Sequence, residues 1–130
     1  MHLYLRQVRQ FASRASPFQA YFKRIQPTIQ EITTDDLRAM KGGRPLLIDI
    51  REPEELKQMG PIPNAVNVPR SHLEMQIERV ATDPTQPIVL YCAGGVRSLF
   101  SARTLEEMGY QDVKSLAGGV RAYHATKHVQ

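Results

Sequence analysis

The chain has one cysteine, and it lies in the stretch YCAGGVRS, residues 91–98. Cys92 follows directly on the apolar run IVLY, and Ala93-Gly94-Gly95-Val96 then offers a row of backbone amides with little side chain in the way. Arg97 adds a guanidinium, and Ser98 starts a helical stretch. A helix N-terminus, free amides and a nearby cation each favour negative charge, so their conjunction predicts a thiolate held in an anion cradle. Taken singly the parts have plainer readings. Two glycines after a strand serve a tight turn, and a lone cysteine is commonly a small buried apolar residue. The chemical reading rests on thiol, glycines, arginine and helix start falling together at one strand end.

A loop of that kind needs a strand behind it and a helix ahead of it. IVLY (88–91) and LLIDI (46–50) are continuous apolar runs of strand length, the pattern of strands buried on both faces. A weak strand is predicted at Ile29 to Ile32, a brief one within PIPNAVNVP (61–69) and another strand at Val113 to Leu116. Helices alternate with them. Thr33 or Thr34 caps one that runs to about Met40 and is ended by Gly42-Gly43; Glu52-Pro53-Glu54-Glu55 opens a short one that ends by Gly60. Ser71 with Glu74 makes a capping box for a helix to about Val80. A helix from Ser98 to Met108 closes at Gly109, and a last one follows Gly118-Gly119. This alternation predicts an α/β domain over 29–130 with a mainly parallel sheet of about five strands, whose chemistry gathers where strands end.

Residues 1–28 read differently, as a basic amphipathic extension. Tyr4, Leu5, Val8, Phe11, Ala12 and Ala15 share one helical face opposite Arg6, Arg9, Ser13 and Arg14. Ser16-Pro17 then starts a second helix, with Phe18, Phe22 and Ile25 on its apolar face and Pro27 as its stop. The net charge of +4 is concentrated there: residues 1–30 carry Arg6, Arg9, Arg14, Lys23 and Arg24 and no carboxylate. The remainder mixes acids and bases almost evenly, which argues against nucleic acid as a partner. The extension is expected to fold back on the domain. Contact with an anionic membrane surface, contact with an acidic protein partner and organelle import are the other roles its composition fits.

A lone cysteine cannot form an internal disulfide, which favours a reducing compartment. No apolar run is long enough to span a membrane, and the N-terminus lacks the pattern of a secretory signal. The expected setting is the cytoplasm.

YCAGGVRSLFSARTLEEMGY resembles the active-site segment of the rhodanese family, with its cysteine, glycine-containing loop, arginine and following helix. LIDIREPEEL resembles the family's aspartate-bearing strand and helix, GPIPNAVNVP its G-H-I-P-G-A turn, and VKSLAGGVRAY its closing strand, double glycine and helix. These motifs run in order over about residues 29 to 126. Pro61, Asn64 and Tyr123 depart from the family's usual histidine, glycine and tryptophan, at positions that do not supply its sulfur chemistry.

The resemblance implies a sulfurtransferase working through a Cys92 persulfide, with no metal or organic cofactor. The donor would be thiosulfate or a related small anion, and the acceptor cyanide, a small thiol or a protein thiol. Ala93, Gly94, Gly95, Val96, Arg97 and Ser98 would bind the substrate and the charged sulfur. Arg97 either pairs with the donor, the favoured role, or ties down its own loop. Asp49 and Arg51 are expected to orient the loop or its neighbour.

Two rivals share this fold. A sulfur carrier or docking module would need the same cysteine with little turnover. A related cysteine phosphatase or arsenate reductase would carry Cys-x5-Arg, a wider loop than the Cys92-x4-Arg97 present here. Elsewhere, His124 and His128 fall short of a metal site, Gly42-Gly43-Arg44-Pro45 is no phosphate loop, and Glu54-Glu55 and Glu106-Glu107 read as solvated helix faces.

Overall fold

The computed structural model describes residues 16–40 and 44–126. The predicted helix over residues 4–15, the Gly42-Gly43 stop and His128 lie outside them.

In chain order the elements are α1 (Pro17–Ile25), β1 (Gln30–Ile32), α2 (Thr34–Ala39), β2 (Leu46–Asp49), α3 (Pro53–Gln58), β3 (Val66–Asn67), α4 (Leu73–Val80), β4 (Ile88–Tyr91), α5 (Val96–Met108), β5 (Val113–Leu116) and α6 (Gly119–Ala125). Short 3₁₀ turns at Gln26–Thr28 and Arg70–His72 precede β1 and α4. The five strands form one sheet in the order β1-β5-β4-β2-β3, and every pairing is parallel. Parallel neighbours require crossovers, and the helices that make them cover both faces of the sheet.

That double cover explains why β2 and β4 are apolar without alternation. Ile48 and Leu90 point into one core with Ile25, Leu73, Ile77, Leu99 and Leu105, while Leu47, Val89 and Tyr91 point into the other with Ile32, Ile62, Leu116 and Val120. α1 belongs to this packing: Ile25 is buried in the first core, and Phe22 lies against it. No helix among the described residues is long and apolar enough to cross a membrane.

Local starts and stops follow side-chain chemistry. Ser16 and Thr33 form capping boxes with Gln19 and Asp36, and Gly109 closes α5 in the left-handed conformation at φ 109°. Ser71 does not behave as predicted. The Arg70 amide is tied to Ile50 O at 2.9 Å and the His72 amide to Pro69 O at 2.9 Å, so Ser71 sits inside a 3₁₀ turn. Its hydroxyl meets His72 Nδ1 at 3.0 Å and Glu52 Oε2 at 3.4 Å, and α4 starts two residues later without a side-chain cap.

Candidate active site

β4 is the central strand of the five, and Cys92 is the first residue beyond it. The backbone must leave the strand and enter α5 within the four residues Cys92 to Gly95, which Gly95 makes feasible at φ 100°. This turn folds the start of α5 back over the sulfur. The amide of Gly95 donates to Sγ at 3.1 Å and that of Ser98 at 3.4 Å, while the thiol reaches Ser98 Oγ at 3.5 Å. Ser98 Oγ lies 2.8 Å from Ser115 Oγ on β5. Cys92 is 1 % exposed, so these contacts act with little competition from water.

α6 supports the loop from behind. The amides of Val120 and Arg121 donate to the carbonyls of Cys92 and Ala93, at 2.9 and 3.1 Å. This close approach requires Gly119: a Cβ there would lie 2.5 Å from both carbonyl oxygens. A Cβ on Gly95 would lie 3.0 Å from Gly118 N. The paired glycines of one loop therefore fit against those of the other.

Arg97 is held from the side. Its Nη2 donates to Glu55 Oε1 at 2.7 Å and its Nη1 to Oε2 at 2.9 Å, a two-point ion pair joining α5 to α3. The same carboxylate accepts the Glu52 amide at 2.9 Å. The Arg97 bond, opposed by partial burial and aided by the Glu52 amide, holds Glu55 down at a pKa of about 2. Glu55 raises the pKa of Arg97 in turn, with a smaller contribution from Cys92. The expectation that Glu54-Glu55 forms a solvated face fails at Glu55, because its partner comes from a helix distant in sequence.

Asp49 and Arg51 form a second, fully buried pair at 2.8 Å. Arg51 also donates to Met59 O at 2.7 Å, and Asn67 Nδ2 bridges the carbonyls of Asp49 and Arg51 at 2.9 Å each. Burial works to lower the Arg51 pKa, but bonding to Asp49 prevails and raises it. Tyr91, whose hydroxyl accepts the Ile62 amide at 3.0 Å, has its pKa raised by burial and by Asp49. This network fixes the ends of β2, β3 and α3 and makes no hydrogen bond to the sulfur.

The predicted residues therefore divide. Cys92, Gly95 and Ser98 converge at the sulfur; Arg97 flanks it; Ala93 contributes its carbonyl to α6; Gly94 and Val96 form the exposed outer side of the loop. α5 starts at Val96, two residues earlier than predicted, because Gly95 has already completed the turn. Sequence reasoning missed Glu55, Ser115 and the docking role of Gly119. A serine inside the apolar strand VKSL was the one local signal of a buried polar partner.

The fold and site define an α/β domain that presents a buried thiol to an amide cradle at the end of its central strand. The family model for the rhodanese-like domain matches residues 33–126, and the chain belongs to the rhodanese family. It is 38 % identical over 104 residues to the uncharacterized protein YqhL of Bacillus subtilis, covering 79 % of this chain and 76 % of that one. It is 36 % identical over 78 residues to a sulfurtransferase of Allochromatium vinosum, covering 60 % of this chain and 70 % of the relative. A solved structure from Rhodopseudomonas palustris, described as a protein of unknown function and a "possible tyrosine phosphatase", superposes with a TM-score of 0.77 at 28 % identity, over 88 % of this chain and 92 % of that one.

Proposed function

We propose that this protein is a sulfurtransferase that carries sulfane sulfur on Cys92, taking it from thiosulfate or a related anionic donor. The observation that carries this reading is the convergence of the Gly95 and Ser98 amides on Sγ, at 3.1 and 3.4 Å. Donors so placed stabilise the thiolate that attacks the donor. The Cys92 thiolate attacks the outer sulfur of thiosulfate; a new S–S bond forms as the old one breaks, and sulfite leaves with the bonding electron pair. The cysteine is left as an anionic persulfide. An acceptor nucleophile, such as cyanide or a thiolate, then attacks the outer sulfur and returns the Cys92 thiolate. In this mechanism Cys92 is the catalytic residue, and Asp49 and Arg51 are positioning residues acting through the loop's surroundings.

The phosphatase reading finds less support. A phosphate needs donors spread around a tetrahedron, whereas two amides here point at a single sulfur across the short Cys92-x4-Arg97 loop. Arg97, the group such a site would turn onto phosphate, is engaged by Glu55.

Incubation with thiosulfate should release sulfite and add one sulfur to the intact mass, and Cys92→Ser should lose both signals. Sulfite release by the serine variant would disprove the assignment of Cys92, and phosphate release from an aryl phosphate without sulfite release would disprove the reaction class. Steady-state rates with thiosulfate and cyanide separate an enzyme from a sulfur carrier, which would hold a stable persulfide and turn over poorly.

A further inference from the structure

We infer that Arg121, rather than Arg97, grips the anionic sulfur donor as it approaches Cys92; this rests on the sulfurtransferase reading above. Three observations on α6 and the loop support it. First, the Arg121 amide donates to Ala93 O at 3.1 Å, which fixes this residue beside the cysteine loop. Second, its Nη1 lies 3.4 Å from the point where a Cβ on Gly94 would stand. Gly94 does not have a positive φ, so backbone conformation alone does not demand glycine there. What the missing side chain provides is open surface over which the Arg121 guanidinium lies.

Third, Arg121 has charge to spare. The guanidinium of Arg51 is paired with Asp49, that of Arg97 with Glu55 and that of Arg103 with Glu107. Arg121 is exposed and has no carboxylate within 4.0 Å among the described residues. The charge of Arg97 is already met by a two-point ion pair with Glu55, whereas Arg121 has no such carboxylate to share with an incoming dianion among the described residues. A guanidinium presents paired N–H donors that match the oxygens of a sulfonate-like group, so the donor class it selects is one whose sulfane sulfur is attached to such a group.

The test uses the full chain with Arg121→Ala and Arg121→Lys. In a ping-pong reaction, kcat/KM for each substrate reports its own half-reaction. Arg121→Ala should lower kcat/KM for thiosulfate about tenfold, the scale of losing a hydrogen-bonded charge contact. The value for dithiothreitol, an uncharged acceptor, should hold within twofold, and Arg121→Lys should recover part of the loss. A monoanionic aryl thiosulfonate should be less sensitive than thiosulfate. A thiosulfate kcat/KM within twofold of the parent in Arg121→Ala, or an equal loss with dithiothreitol, overturns the role of Arg121 and leaves the sulfurtransferase reading standing. A parent protein that takes up no sulfur from thiosulfate or the thiosulfonate overturns both.

Discussion

Ser98 donates its amide to the sulfur at 3.4 Å and accepts the thiol on its hydroxyl oxygen at 3.5 Å, and the hydroxyl also lies 2.8 Å from Ser115 Oγ. Ser115 is fully buried and makes no other side-chain hydrogen bond among the described residues. Ser98→Ala therefore strands a hydroxyl in the core and should cost ~1–3 kcal/mol. Removing both hydroxyls, in Ser98→Ala with Ser115→Ala, should recover part of that loss in urea unfolding. A double variant at least as unstable as the two single losses added together would show that the hydroxyls do not act as a pair. Gly119 is a sharper constraint. Its φ is 58°, and a Cβ there would stand 2.5 Å from Cys92 O and Ala93 O, which leaves no room for a methyl group. Gly119→Ala should cost ~1–3 kcal/mol from backbone conformation alone, and more as the loop is pushed off α6. Iodoacetamide should then reach Cys92 faster than in the parent, and an unchanged alkylation rate would contradict the docking role.

Between elements, the tie from α3 to α5 is the Glu55–Arg97 pair, and it makes the cradle's support sensitive to acid. Glu55 has a pKa of about 2 in the folded chain against an ordinary 4.5. Its folded value is the depressed one, so its contribution to stability is fully present above about pH 4.5 and is lost as pH falls toward about 2. Glu55→Gln should remove that part of the pH dependence, so parent and variant unfolding midpoints should converge across this window. Parallel curves would exclude a pH-dependent contribution from the pair. This contact was not legible in the sequence because its partners stand 42 residues apart on separate helices. Arg51 resisted reading for a related reason: its burial follows from the crossing of β2, β3 and α3, which no local window contains. The elements themselves were legible, since the apolar runs, prolines and glycines that start and stop them are local. Ser71 shows the limit, where a tertiary bond at Arg70 overrode a sound capping pattern.

At the scale of the whole molecule, the question is whether the domain ends where its family match begins, at residue 33. α1 precedes that boundary, yet Ile25 is 4 % exposed and shares a core with Ile48, Leu90, Leu99 and Leu105. Around it, Phe22 and Phe18 meet the Phe100 ring of α5 at 6.2 Å each, and Tyr21 stacks on it at 5.2 Å. Such aromatic contacts add to simple area burial, so α1 covers α5 with specific geometry. Its own exposed apolar rings, Phe18 and Tyr21, continue the apolar surface outward. Deleting residues 1–28 should remove at least the burial of one isoleucine, ~2–5 kcal/mol, and lower the melting midpoint on the order of 10 °C. It should also uncover Phe100 and promote self-association. The sulfur's contacts come from residues 92–98, however, and none comes from α1. Sulfite release per folded molecule should therefore persist at a temperature where the shortened chain remains folded. A melting midpoint unchanged by the deletion would place α1 outside the folding unit. A folded but inactive product would instead tie α1 to the chemistry, which the geometry of the loop gives no reason to expect.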